Sequence, residues 1–106
     1  MNQINLVAVP NGMFTFEEAL ESHQIQEAFK MLKNMSAPTK AKIKTFLAIY
    51  QMIDILAQLE NQGFDIKQVN MDSLSANMKY TIDEGYDEIM KTFTNHQRKQ
   101  LHELVN

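Results

Sequence analysis

The stretch APTKAKIKTFLAIYQMIDILAQLENQ, residues 37–62, decides the fold of this chain. At about 100° per residue, its polar members Lys40, Lys44, Gln51, Asp54 and Gln58 gather in an arc of roughly 80°. Ile43, Phe46, Leu47, Ile49, Tyr50, Met52, Ile53, Ile55, Leu56 and Leu59 occupy the remainder. A helix with so much apolar circumference must be surrounded by protein, because each large side chain left in water forfeits about 1.5 to 3 kcal/mol. Gln51, Asp54 and Gln58 interrupt the apolar run, which is shorter than the ~20 residues needed to cross a bilayer. The stretch is therefore read as a central core helix. Ser36 is a plausible N-cap with Pro38 in the first turn, and Gly63 supplies the stop.

Upstream of this helix, Thr15 and Glu18 form a capping-box pattern, which predicts a helix start at Phe16. Phe16, Ala19 and Leu20 share one face, whereas Ile25, Ala28, Phe29, Met31, Leu32 and Met35 lie nearly opposite. The stripe jumps at the polar residues 21–24, and this predicts either two helices, about 16–22 and 24–35, or one helix that changes partner. Residues 4–9 (INLVAV) precede the turn chemistry of Pro10-Asn11-Gly12 and read as a short extended arm within residues 1–14. Residues 64–69 (FDIKQV) are the one candidate strand partner.

Downstream, Leu74, Met78, Ile82, Tyr86, Ile89 and Phe93 recur every three or four residues, a second strong helical stripe. Gly85 within it is expected to bend the helix or admit a neighbouring backbone. Thr94 and Gln97 form another capping-box pattern ahead of Leu101, Leu104 and Val105, predicting a terminal helix at about 95–104. A continuous helix from Asp72 to Val105 is the alternative. With 106 residues, two prolines, three glycines and no repeat or linker, the expectation is one all-α domain, a bundle of four to five helices around residues 37–62.

The absence of cysteine excludes disulfides, thiolate metal sites and cysteine nucleophiles, and suits a reducing compartment. The N-terminus lacks the basic region and long apolar core of a signal peptide, so the expected location is cytoplasmic and not membrane-embedded. Lysine, asparagine, isoleucine and methionine are plentiful, a bias that AT-rich coding produces and that suits a phage or mobile-element protein acting on a host factor.

Charge is patterned, with net −4 in residues 1–27, +5 in 28–53, −6 in 54–90 and +2 in 91–106. Lys30, Lys33, Lys40, Lys42 and Lys44 could offer a polyanion a row of cations, which gains affinity through counterion release. The only arginine, Arg98, is elsewhere, and nucleic-acid readers usually combine arginine forks with stacking aromatics. Asp83, Glu84, Asp87 and Glu88 form an acidic patch without the alternating oxygen ligands of a calcium loop. His23, His96 and His102 lack the partner spacing of a zinc or di-iron helix motif, so neither a metal nor a cofactor is expected. Arg98 and His102 stand closer together than the Arg-to-His motif of helical ribonucleases of the HEPN type requires, and that resemblance fails. Asp54, one turn after Tyr50, is the one carboxylate placed for partial burial, as a general acid would be.

These readings converge on a non-enzymatic protein-interaction module, an adaptor, inhibitor or assembly factor that self-associates or docks on a larger protein. Phe29, Leu32, Tyr50, Met52 and Leu56 are expected to be divided between core and interface, and the N-terminal segment could add a strand to a partner's sheet edge. The alternatives are a nucleic-acid accessory protein using Lys30 to Lys44, and a small enzyme built on Asp54 or the histidines.

Overall fold

The computed structural model describes residues 16–106, and among these every regular element is helical. In chain order they are α1 (Phe16–Glu21), α2 (His23–Lys33), α3 (Thr39–Asn61), a 3-10 turn (Ile66–Gln68), α4 (Met71–Lys91) and α5 (Asn95–Val105). The all-α bundle around a long central helix is as the sequence predicts. The arm at residues 1–14 and Thr15 of the first capping box lie outside the described residues.

The stripe jump at residues 21–24 resolves into two helices. Ser22 takes an extended conformation between α1 and α2, so Phe16 and Ala19 are buried on one side of the break and Ile25, Phe29 and Leu32 on the other. Residues 64–69 do not form a strand. Asp65 instead accepts a hydrogen bond from the Lys67 amide and caps the 3-10 turn.

The ends of α3 are set by backbone chemistry. Pro38, not Ser36, is the N-cap residue, with ψ of 151° and no side-chain cap bond. Its fixed φ is already that of a helix entry, and it has no amide hydrogen to leave unpaired. At the other end Gly63 has φ of +92°, a region that side chains with a Cβ avoid. The Phe64 amide donates to the Leu59 carbonyl and the Gly63 amide to the Glu60 carbonyl, both at 3.0 Å. This pair of bonds is a Schellman closure.

Residues 72–105 form two helices. The Thr94 hydroxyl accepts from the Gln97 amide, and the Gln97 side chain accepts from the Thr94 amide, so the predicted capping box opens α5. Arg98 locks the joint. Its Nη1 donates to the carbonyls of Met90 and Phe93, each at 2.8 Å, and its Nη2 donates to Asn95 Oδ1. The single arginine thus adds charged donors to carbonyls at and just beyond the end of α4. Gly85 lies in an unbroken α4, and a Cβ there would meet only Ile89 side-chain atoms, at 3.7 Å or more. The expected close approach of a neighbouring backbone is not found among the described residues.

The core is organised around the first half of α3. Ile43, Phe46, Leu47, Ala48 and Tyr50 are buried against α2, α4 and α5. Phe46 stacks on Phe29 of α2 with ring centroids 4.6 Å apart, and Phe16 meets Phe93 edge-on at 5.2 Å. No helix among the described residues is long and apolar enough to cross a membrane.

Candidate interaction surface

The rotation of α3 about its own axis determines which of its side chains reach the surface. Phe46 and Tyr50 are sealed, and so are Gln51 and Asp54, two members of the polar arc. Inward placement of that arc turns the opposite stripe outward. Thr45, Ile49, Met52 and Leu56, at spacings of four, three and four, form one half-buried line along the helix, with Ile53, Ala57 and Leu59 half-buried beside it. In its second half α3 therefore seals a carboxylate and leaves its aliphatic side chains only partly covered.

Two grooves flank this ridge. One, about 380 Å³, runs between α3 and α4, with Ala41, Thr45, Ala48, Ile49 and Met52 along its α3 wall and Ser75, Lys79, Ile82 and Asp83 opposite. The other, about 220 Å³, lies on the far side, where Ile53, Leu56, Ala57 and Glu60 face Gln24 of α2 and Ile66 of the 3-10 turn. Phe64, just past the Schellman closure, is 60% exposed, whereas Phe16, Phe29, Phe46 and Phe93 are all buried.

The charges of α3 are concentrated at the two ends of the helix. Near its start, Lys40 and Lys44 place their ammonium groups 5.0 and 5.5 Å from the Tyr86 ring centroid, and Lys44 Nζ is 3.1 Å from Asp83. Burial raises the Tyr86 phenol pKa, an effect that the Lys44 charge opposes. At its far end stands the exposed Glu60. The only acidic or basic side chain between Lys44 and Glu60, apart from the buried phenol of Tyr50, is the sealed Asp54.

The polar groups on the sealed face differ in how they are satisfied. Gln58 Nε2 donates to Asp54 Oδ2 at 2.7 Å. Burial raises the Tyr50 phenol far above its usual pKa, with the Asp54 charge acting in the same direction. Neither Oε1 nor Nε2 of the fully buried Gln51 has a hydrogen-bond partner. Groups of this kind are normally paired, and an unpaired one costs about 1 to 3 kcal/mol.

Of the five residues expected at an interface, Phe29, Leu32 and Tyr50 are core residues, each at most 5% exposed. They are spent on the chain's own packing, and only Met52 and Leu56 reach the surface. The five lysines do not form one edge. Lys42 is buried, with Nζ donating to the Val105 carbonyl at 3.2 Å, where a cation favourably meets the C-terminal end of α5. Lys30 pairs with Glu27 on the surface of α2, where its hydrogen bond and charge lower the Glu27 pKa. Lys30 and Lys33 border a separate groove against Gln100, Glu103 and Leu104 of α5, while Lys40 and Lys44 lie against α4.

Asp83, Glu84, Asp87 and Glu88 are exposed on α4, with Asp83 engaged by Lys44 and Glu88 by Lys91. His23, His96 and His102 are exposed on α2 and α5, apart from the sealed Asp54. Among the described residues no group of three or more histidine, aspartate or glutamate side chains could hold a metal ion.

Thr45, Ile49, Ile53 and Phe64 belong to this surface and were not singled out from the sequence. The four-three-four spacing of residues 45, 49, 52 and 56 is legible there, but a helix apolar on most sides does not reveal which stripe faces out. No family model matches the chain, nor does any curated protein or solved structure.

Proposed function

We propose that this chain is a non-enzymatic protein-interaction module that works through the outward stripe of α3. The observation that carries the reading is the inverted stretch of that helix from Ile49 to Leu56, where Gln51 and Asp54 are sealed while Ile49, Met52, Ile53 and Leu56 stay half-covered between two grooves. A continuous apolar ridge on a small domain is the kind of surface that marks contact with another protein, and it is free of charge where an interface core is usually free of charge. Met31, Met35 and Met71 add exposed, adaptable apolar surface. The AT-rich composition suits a phage or mobile-element product meeting a host protein in the cytoplasm.

Light scattering after size exclusion, combined with affinity capture from native lysate, tests the reading. Wild type should either self-associate or retain a specific protein, and Leu56→Asp should lose that behaviour while remaining helical by circular dichroism. A strictly monomeric chain that retains nothing would overturn it.

A further inference from the structure

We infer that residues 55–77 open as one unit while the rest of the bundle stays folded. They are the closed end of the hairpin that α3 and α4 make, and comprise the last turns of α3, the 3-10 turn and the first turns of α4.

The two helices run antiparallel, since Lys40 lies over Tyr86 and Lys44, one turn on, reaches back to Asp83. Sealed side chains hold the open end of this hairpin and stop short of the closed end. Among the described residues no side chain between Asp54 and Met78 is buried, whereas the next longest gap of this kind runs only from Leu32 to Lys42. Ile55 and Leu74 are partly buried against the core cluster, while Phe64 and Met71 are exposed. Ordering this stretch costs backbone entropy at every residue, and none of its side chains recovers the full free energy of leaving water. A segment so placed opens below the free energy of global unfolding.

The bonds that shape the closed end are local to it. The Phe64 amide donates to the Leu59 carbonyl and the Gly63 amide to the Glu60 carbonyl, while Asp65 accepts from the Lys67 amide and Asn70 from the Ser73 amide. The bonds that tie distant parts of the chain together lie outside it, from Thr39 to Asn106, Lys42 to Val105, Gln97 to Glu17 and Lys44 to Asp83. Opening therefore leaves these long-range ties in place. It breaks the bond from Gln58 to Asp54, which crosses the boundary of the unit.

The two grooves beside the ridge respond differently. Leu56, Ala57, Glu60 and Ile66 of the 220 Å³ groove belong to the opening unit, so this groove exists only while the unit is closed. The 380 Å³ groove draws Ser75 alone from the unit and persists. A ligand that fills the smaller groove must hold the closed end shut.

Native-state hydrogen exchange of the isolated chain, followed by NMR in rising urea, tests the opening without any partner. The amides of Gln62, Phe64 and Leu74, each bonded to a nearby carbonyl, should share one opening free energy and one urea slope. Their protection should be on the order of 100-fold or more below that of Leu47 and Ile89. Leu101→Ala, a truncation in the core, should lower protection at Leu47 and Ile89 on the order of 100-fold and leave Gln62, Phe64 and Leu74 unchanged. The milder Ile43→Val, which keeps the test available if the alanine variant does not fold, should show the same asymmetry at about 2- to 10-fold. Gly63→Ala, at φ of +92°, should instead lower both groups by one common factor on the order of 10-fold, because it destabilises the closed state against every opened one. Two results would overturn the inference. One is a joint fall of both groups in Leu101→Ala or Ile43→Val, and the other is exchange at Gln62, Phe64 and Leu74 with unrelated free energies and no urea dependence.

Discussion

The two halves of α3 are one continuous helix with opposite relations to water. In residues 39–51 the large apolar side chains Ile43, Phe46, Leu47 and Tyr50 are sealed by α2, α4 and α5. In residues 52–61 the only sealed side chain is Asp54, and Met52, Ile53, Ile55, Leu56 and Leu59 are half-covered. Composition does not separate them, since both are rich in isoleucine and leucine. What separates them is the supply of neighbours. Stacking of Phe46 on Phe29 fixes the rotation of the helix, and the bond from Lys42 to Val105 ties its start to α5. Beyond Tyr50 the described neighbours are the start of α2, the 3-10 turn and the first turns of α4. The rotation chosen by the first half is imposed on the second, even though it turns a carboxylate inward and aliphatic groups outward.

The largest expected difference between the halves is in truncation. Phe46→Ala should cost about 3 to 5 kcal/mol, the usual range for emptying a packed aromatic site. Leu56→Ala should cost about 1 to 2 kcal/mol in the monomer, because roughly half of its transfer free energy is realised there. Urea denaturation of both variants checks this, and equal losses would break the distinction.

Arg98→Ala tests whether the joint between α4 and α5 maintains the cover on the first half. It should lose about 2 to 3 kcal/mol, since several charge-assisted bonds to backbone and Asn95 vanish together, and Arg98→Lys should recover only a minor part. Thermal melts of the three proteins decide it.

Sealing of the first half also predicts an alkaline limit. Burial raises the pKa of Tyr50, with the Asp54 charge adding to the effect. The unfolded chain therefore releases this proton first as pH rises through about 10. The stabilising contribution is complete below that pH and is lost above it, at about 1.4 kcal/mol per pH unit. Tyr50→Phe should flatten the dependence in denaturant titrations from pH 9 to 11, leaving the smaller part due to Tyr86.

At the boundary between the halves, Gln51→Met should raise stability by about 1 to 2 kcal/mol, because it removes a buried amide that has no partner and nearly keeps its volume. A loss of stability in urea denaturation would show that the amide is satisfied. The smallest expected effect is a gain of about 0.5 to 1 kcal/mol for Gly85→Ala, in a helix where a Cβ finds ordinary contact distances. A thermal melt shifted upward would confirm that this glycine serves neither packing nor bending.

Much of the architecture follows from local rules that operate within a few residues. The stripe jump at residues 21–24, the Gly63 stop and the Thr94–Gln97 box each depend on neighbours close in sequence, and each is found where the pattern places it. The errors have the opposite character. Residues 64–69 are a candidate strand partner in the sequence, yet Ile66–Gln68 form a 3-10 turn. Lys42 was grouped with the surface lysines, and only the distant Val105 carbonyl accounts for its burial. The partners of Arg98, the carbonyls of Met90 and Phe93, are likewise not visible in a local pattern.

The sequence by itself determined that residues 37–62 hold a helix with too much apolar surface to stand alone, that the stripe breaks at residues 21–24, and that Gly63 and the Thr94–Gln97 box are natural stop and start signals, because periodicity, capping and glycine conformation are local. Only the tertiary structure decided which stripe of that helix is buried. A helix apolar on most sides can be rotated to bury several alternative faces, and the choice depends on contacts such as Phe29 with Phe46 that no local pattern records.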